Sequence, residues 1–140
     1  MEIYNDRSNR CIFSNCIFSS YAFRLWDRFE QRYLNISELH NYYISPVDGR
    51  ILFLDGYDID ARYYKEQYTG LQDQNGKEIY EGDILAPTNP ETIREDRIAR
   101  VYFDAGVFKI GWNCLWQELA QNQSEVIGNI YENPELLEKE

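Results

Sequence analysis

The stretch YTGLQDQNGKEIYEGDIL at residues 68–85 is the densest run of backbone signals in the sequence, and its residues could hold a metal, bind a phosphate or form turns. Its segment Asp73-Gln74-Asn75-Gly76 is similar to part of a calcium loop, in which carboxylates at the first and twelfth positions surround a glycine at the sixth. With Gly76 at the sixth position, Leu71 is first and Gly82 is twelfth, so both end positions lack a carboxylate. The spacing therefore argues against a calcium site.

The glycines of the same stretch also do not form a phosphate loop. Gly70, Gly76 and Gly82 recur every six residues, with no Gly-Lys-Ser/Thr sequence and no helix pattern after them. Each glycine fits a turn instead. The first is expected to end an extended segment, the second to make a tight Asn-Gly turn with positive φ, and the third to form a corner in which Asp83 bonds neighbouring amides.

Cysteine and histidine, the residues that supply sulfur and imidazole ligands to metal sites, are few in this sequence. Cys11 and Cys16 lack a second ligand pair, and the single histidine, His40, has no partner at a zinc spacing. A single histidine also gives little support for a catalytic Cys–His pair with Cys114, Cys11 or Cys16. We therefore predict no metal site, no cofactor and no catalytic residue, and expect that the protein is not an enzyme. Three cysteines without a regular framework indicate a reducing compartment.

Aromatic side chains provide the strongest candidate site. Trp112 and Trp116 lie four residues apart, and Tyr80 precedes the corner at Gly82. We expect the tryptophans in the core of a small barrel, the commoner place for large aromatic residues. The alternative is a partner-binding groove with an acidic rim, because Trp and Tyr dominate binding hot spots. Its candidate residues are Tyr80, Glu81, Asp104, Trp112, Trp116 and Glu118.

The charge distribution limits the class of partner. The net charge is −10, of which residues 1–67 carry −2 and residues 68–140 carry −8. An acidic second half argues against direct binding of nucleic acid, which requires Lys and Arg to replace counterions. It permits an acidic surface facing a basic site on a partner. The sequence shows no signal-peptide pattern and no long apolar run, so we expect no membrane partner.

The first half of the chain reads as short strands and tight turns. A leader repeats Cys-Ile-Phe-Ser after five residues, a step that matches neither helix nor strand periodicity. The pattern then predicts a β-hairpin at 21–34 and one helical turn capped by Asn35 or Ser37. A turn at 46–50 precedes a strand at 51–54, while residues 57–67 fit either a helix or a strand.

The second half predicts a strongly bent barrel of about five strands. A long loop is expected at 86–96, then a hairpin whose strands, 97–103 and 107–112, flank a turn at 104–106. Residues 113–123 fit either a strand or a short helix. A last strand at 126–131 is interrupted by Gly128, as a bulge or a site of close approach. A short acidic helix follows, with Asn133 as cap and Pro134 at its first position.

Three separated blocks resemble the YopX-like proteins of phages and prophages. The stretch at 68–85 is similar to a signature of that family, and VIGNIYENPELL at 126–137 is similar to its C-terminal signature. FRLWDRFEQRYL at 23–34 resembles its N-terminal block, with Leu25 in place of a usual alanine. The departures are the leader at 1–19 and a divergent middle at 36–67.

The resemblance implies an α+β, mainly β fold. A leader extension (1–19) would precede a small N-terminal β subdomain (20–67) and a C-terminal SH3-like, YopX-type barrel (68–140) with a short C-terminal helix. It also implies a phage or prophage gene whose product acts in the host bacterial cytoplasm. The family supplies no catalytic residues to carry over.

We therefore expect a non-enzymatic phage or prophage accessory protein that binds and modulates a host bacterial protein. The alternative is a small-molecule binder that sequesters a nucleotide signal of host defence. It rests on the abundant Tyr and Trp for stacking and on five arginines for phosphate, namely Arg24, Arg28, Arg32, Arg50 and Arg62. An exposed barrel edge or the leader leaves a homo-oligomer open.

Overall fold

The computed structural model describes residues 23–88, 97–121 and 123–138. The chain divides into two compact units, Met1–Glu66 and Gln67–Glu140. The predicted leader, with Cys11 and Cys16, and most of the predicted loop at 86–96 lie outside the described residues. Within the described ranges, no helix is both long enough and apolar enough to span a membrane.

The first unit consists of short strands and single helical turns. They are β1 (Phe23–Asp27), β2 (Arg32–Tyr33), α1 (Ile36–Leu39), β3 (Tyr42–Ile44), β4 (Ile51–Phe53), a 3-10 turn (Asp60–Arg62) and the start of β5 (Tyr63–Gln72). The strands β1 and β2 are antiparallel and pair Trp26 with Tyr33, which confirms the predicted hairpin. The strands β3 and β4 form a second antiparallel pair. The ambiguous segment at 57–67 contains the 3-10 turn and then a strand.

The first unit is held by one apolar cluster and by local polar caps. Leu25, Leu34, Ile51 and Tyr63 are buried together. The helix α1 begins at a reciprocal cap, because the Asn35 side chain accepts from the Glu38 amide at 3.0 Å and the Glu38 carboxylate accepts from the Asn35 amide at 2.9 Å. This box confirms Asn35 as the cap.

The second unit is mainly β. After the end of β5 it contains β6 (Glu78–Tyr80), β7 (Asp83–Pro87), β8 (Ala99–Asp104), β9 (Val107–Ile110), β10 (Asn113–Cys114), α2 (Leu115–Gln121), β11 (Ser124–Asn129) and a 3-10 helix (Pro134–Leu137). Five strands form an antiparallel sheet in the order β10-β9-β8-β7-β11, curled into a half-barrel. Its core comprises Ile79, Leu85, Val101, Ile110 and Leu115.

Two glycine predictions hold and one is wrong. Gly76 and Gly82 have φ of +82° and +89°, as the turn and the corner require. The Asp83 carboxylate accepts from the Tyr80 amide at 2.8 Å, which confirms its role in the corner. Gly70 does not end a strand, because β5 continues to Gln72. Its φ of +82° lies within a register shift between Tyr68 and Gln72, so this glycine forms a bulge.

The C-terminal predictions are partly confirmed. The strands β8 and β9 form the expected hairpin at 104–106, and a register shift in β11 between Val126 and Gly128 places a bulge next to Gly128. Pro134 begins a 3-10 helix, but Asn133 does not cap it with its side chain. That side chain turns back and accepts from the Asn129 amide at 3.2 Å, which satisfies the preceding turn instead. The strand β7 continues through Pro87, so the predicted loop begins later than Ala86.

Candidate functional site

Trp112 lies at the tip of a two-residue hairpin loop. Ile110 of β9 pairs with Asn113 of β10, so only Gly111 and Trp112 connect the two strands. Gly111 has φ of +59°, the positive value that the first position of a type II′ turn requires. A residue at such a tip has no neighbouring strand to cover it, and the Trp112 side chain is fully exposed, at 100%.

The loop that presents Trp112 is anchored to the sheet. The Tyr102 hydroxyl in β8 donates to the Gly111 carbonyl at 2.7 Å. Leu115, three residues beyond Trp112, is completely buried in the core. The backbone on both sides of Trp112 is therefore held in place, which reduces the conformational entropy lost when a partner orders this residue.

Trp116 is also outside the core, so the predicted core position of both tryptophans is wrong. Leu115 is the buried residue of α2, and the following residue is rotated by about 100° around a helix axis. This rotation directs Trp116 outward, where 59% of its area is exposed. Of this segment, Leu115 is the residue that belongs to the core cluster.

A cavity of about 250 Å³ lies beside Trp112. Apolar side chains contribute to its lining, including Leu85, Ala99 and Ile110. Its polar side chains are Arg97, Asn113, Glu118 and Ser124. Polar and apolar groups therefore contribute to the lining in similar measure, so the cavity can accept a polar as well as an apolar group.

Glu118 organises the polar side of this cavity. Its side chain is only 11% exposed and accepts from the Asn113 amide nitrogen Nδ2 at 3.1 Å. The Arg97 guanidinium lies 3.9 Å from the same carboxylate. Arg97 and Asn113 were missed by sequence reasoning. The available signal was the tight loop at Gly111, which brings Asn113 back beside β9.

The other predicted residues do not line the cavity. Asp104 lies at the opposite end of the β8–β9 hairpin and forms an ion pair with Lys109 at 2.9 Å, which raises the pKa of that lysine. Tyr80 packs against Tyr68, with ring centroids 5.4 Å apart. The Glu81 amide donates to the Gln67 carbonyl at 2.8 Å. Of the six candidates, the structure brings only Trp112 and Glu118 to this cavity.

Metal ligands do not cluster in the described part of the chain. No group of three or more His, Cys, Asp or Glu side chains there is arranged to hold a metal ion. Cys114 is a half-buried free thiol in β10.

Comparison with known proteins places the chain in a family. The model of the YopX protein family matches residues 22–138. The chain belongs to the YopX family. A crystal structure of protein EF1440 from Enterococcus faecalis is similar, with 31% sequence identity and a TM-score of 0.56, over 84% of this chain and 97% of that one. No curated protein matches the chain.

In this YopX-family chain, Trp112 and Trp116 lie outside the three sequence blocks that carry the resemblance. Two of those blocks meet in the sheet, where β7 pairs with β11 and joins Val126 to Leu85 and Asn129 to Asp83. They build the framework of the second unit. Trp112 and Trp116 are presented by a hairpin loop and a helix added to the other end of the strand order.

Proposed function

We propose that this YopX-family protein is a non-enzymatic phage or prophage accessory protein that binds and modulates a host bacterial protein. The single observation that carries the proposal is the fully exposed Trp112 at the tip of an anchored hairpin loop. An exposed aromatic side chain of this size offers a partner a large apolar contact area together with an indole N–H donor. Trp is also the residue type most enriched among binding hot spots.

The energy available from this side chain is considerable. An aromatic side chain buries about 150–250 Å² when it is covered, which corresponds to about 4–6 kcal/mol before the costs of association. Trp116, at 59% exposure, adds a second aromatic surface four residues further along. The cavity beside Trp112 gives a partner side chain a place to insert, so the contact can be more than a flat patch.

Charge supports a partner with a basic contact region. Residues 68–140 carry a net charge of −8, which favours encounter with a positively charged site. This electrostatic attraction weakens with added salt. The same proposal includes an SH3-like class for the second unit and the host cytoplasm as the location of the protein. An SH3-like arrangement of the second unit is supported by its antiparallel five-stranded half-barrel. The host cytoplasm is supported by the family resemblance and by three cysteines without a disulfide framework.

A small-molecule binder is the second candidate, and one observation favours it. The cavity holds an indole for stacking and the Arg97 guanidinium, which lies 3.9 Å from the Glu118 carboxylate. A guanidinium beside an indole suits an anionic aromatic ligand such as a nucleotide, which would compete with Glu118 for Arg97. The arginines expected to bind phosphate have other partners inside the first unit. Four pair with carboxylates, for example Arg24 with Glu66 and Arg62 with Asp27, both at 2.6 Å. Arg28 donates to the Ala61 carbonyl at 2.8 Å.

The proposal is tested by a tagged pull-down from host lysate at several salt concentrations. We compare the wild-type chain, the double variant Trp112→Ala/Trp116→Ala, and a matched control, Tyr57→Ala, which removes an aromatic side chain of 73% exposure from the first unit. Partner capture is expected to be lost in the double variant, retained in the control and weakened by salt. Equal capture by all three chains, or no capture by the wild type, would contradict the proposal.

A thermal-shift screen against nucleotides separates the second candidate. A ligand that binds the native state raises the melting temperature in proportion to its affinity and concentration. A shift that Trp112→Ala abolishes would replace the host-protein proposal with a small-molecule function.

A further inference from the structure

Arg97, which lines the cavity beside Trp112, brings its guanidinium close to the Glu118 carboxylate. The Arg97 Nη1 lies 3.9 Å from the Glu118 Oε2, a separation that allows an ion pair but is longer than a hydrogen bond. The two partners differ in exposure, because the Glu118 side chain is 11% exposed and the Arg97 side chain is 43% exposed. The cavity therefore contains a loose contact between a covered carboxylate and a more exposed guanidinium.

The Glu118 carboxylate is held in place through its other oxygen. Oε1 accepts a hydrogen bond from the Asn113 Nδ2 at 3.1 Å. Glu118 belongs to the helix α2, whose first residue, Leu115, is completely buried in the core. An opposite charge that approaches a mostly covered carboxylate compensates the cost of removing that carboxylate from water. The arrangement therefore favours a cationic ligand.

The rest of the lining suits the stem of a long basic side chain. Leu85, Ala99 and Ile110 supply carbon surface along the cavity, and Trp112 supplies a fully exposed indole. Lys and Arg side chains bury their methylene stems against apolar surface while the charged head reaches a polar group. A cation also binds favourably over the face of an indole, the best of the aromatic rings for this contact.

Arginine fits these groups better than lysine. Its planar guanidinium donates two parallel hydrogen bonds to a carboxylate and stacks on an aromatic ring, whereas an ammonium is a compact, strongly hydrated point charge. At about 250 Å³ the cavity is large enough for a guanidinium, since an apolar cavity of about 150 Å³ accepts benzene. Charge acts in the same direction, because residues 68–140 carry a net charge of −8.

We propose, on the basis of the host-protein function proposed above, that the partner inserts one arginine side chain into this cavity. The incoming guanidinium pairs with Glu118, stacks on Trp112 and displaces Arg97 from the carboxylate. Arg97 thus acts as an internal competitor that lowers the affinity of the site for the partner. The nucleotide candidate gives Arg97 the opposite role, because an anionic ligand requires its guanidinium.

Binding of a defined probe tests this contact without a host partner. We titrate the full-length, ¹⁵N-labelled protein with N-acetyl-arginine-amide at constant ionic strength and follow the indole N–H signals of its three tryptophans by NMR. The variant Trp112→Phe identifies the Trp112 signal. N-acetyl-citrulline-amide is the matched control probe, because citrulline has nearly the shape of arginine but carries no charge.

The arginine probe should shift the Trp112 signal saturably, and the citrulline probe should bind at least about tenfold more weakly because a charge-assisted contact is lost. Glu118→Gln should weaken binding of the arginine probe by about tenfold or more for the same reason. Arg97→Ala should tighten it by about twofold to fivefold, the range expected for release of a loose, exposed ion pair. The control Glu135→Gln, which removes an exposed carboxylate outside the lining, should change it by less than about twofold.

The proposal would be overturned by the absence of a saturable shift, by equal binding of the two probes, by unchanged binding in Glu118→Gln, or by weaker binding in Arg97→Ala. The pull-down from host lysate separates its failure from that of the host-protein function. Capture that is lost in Trp112→Ala/Trp116→Ala but retained in Glu118→Gln would reject the arginine contact and leave the host-protein function in place. No capture by the wild type, with the probe bound as expected, would reject the host-protein function while supporting an arginine site.

Discussion

Asp73 and Val126 are 53 residues apart, yet the Asp73 carboxylate accepts a hydrogen bond from the Val126 amide at 2.9 Å. The other oxygen of the same carboxylate accepts from the amides of Asn75 and Lys77 at 2.8 and 2.9 Å. One buried side chain therefore closes the turn after β5 and ties it to β11. Two of the three sequence blocks that resemble the YopX family meet at this residue.

Replacing Asp73 with Asn should destabilise the second unit by about 2–4 kcal/mol, because a buried charged acceptor of three backbone amides is lost. The measurement is urea unfolding followed by circular dichroism. The control is Asp104→Asn, which removes an exposed carboxylate that pairs with Lys109 and should change the free energy of unfolding by less than about 1 kcal/mol. Similar losses in both variants would show that Asp73 has no special structural role.

The stability of the first unit should fall in acid because of Asp27. Its carboxylate is 1% exposed and is bound by the Arg62 guanidinium at 2.6 Å, which lowers its pKa below 3.8 with help from the amides of Glu30 and Phe29. A group with a lowered folded-state pKa stabilises the native state above its unfolded pKa and ceases to do so as pH falls through the folded value.

The midpoint of urea unfolding is therefore expected to decrease as pH falls below about 4. Asp27→Asn should be less stable than the wild type at neutral pH and should lose part of this acid dependence. Glu38, whose pKa is lowered to about 2 mainly by its hydrogen bond to Arg32, keeps a residual dependence in the variant. Parallel pH profiles for the wild type and Asp27→Asn would contradict this account.

Local signals made much of the fold predictable. The β1–β2 hairpin, the Asn35 cap and the turn at 104–106 each depend on residues within a few positions of one another, and the structure confirms them. Gly70 was predicted wrongly because a bulge and a strand end place a glycine in the same positive-φ backbone. Only the pairing of β5 with β6 distinguishes them.

The candidate site was less predictable, since burial of a tryptophan depends on which neighbour fills the core. The sequence Trp112-Asn113-Cys114-Leu115-Trp116 offers three large apolar side chains, and the structure buries only Leu115. The two-residue loop at Gly111 determines which side chain of this segment faces the core. Arg97 and Glu118 lie 21 positions apart in the sequence, and a periodicity argument cannot bring them together.

Tryptophan fluorescence should report this arrangement. Trp26 is 3% exposed, Trp116 is 59% exposed and Trp112 is fully exposed. Acrylamide should therefore quench most of the emission of the wild type, and Trp112→Phe should remove the most strongly quenched component. Trp26→Phe is the matched control and should leave the quenched component intact. A Trp112 that resists quenching would place its indole against another surface.

Core and surface residues of the same segment should differ sharply in their effect on stability. Leu115→Ala deletes a fully buried side chain and should cost about 2–5 kcal/mol. Trp112→Ala deletes a larger side chain that contacts little and should change the free energy of unfolding by less than about 0.5 kcal/mol. Denaturant unfolding measures both. A large loss from Trp112→Ala would mean that the hairpin loop contributes to the core.

Gly128 should be required for a steric reason that differs from that of the turn glycines. A Cβ at this position would lie 2.7 Å from the Asn133 Cγ, and moving the Asn133 side chain away would break its hydrogen bond with the Asn129 amide. Gly128→Ala should cost about 1–3 kcal/mol. Asn133→Gly removes the clashing atoms, so the double variant should lose less stability than the sum of the single variants.

Gly76 provides the comparison, since its φ is +82° and nothing lies within 4 Å of an added Cβ. Gly76→Ala should cost about 1–2 kcal/mol from backbone strain alone, and Asn133→Gly should add to that cost without compensation. A double-mutant cycle in urea measures both couplings. Additive losses at Gly128 and Asn133 would show that the close approach in β11 does not determine the choice of glycine.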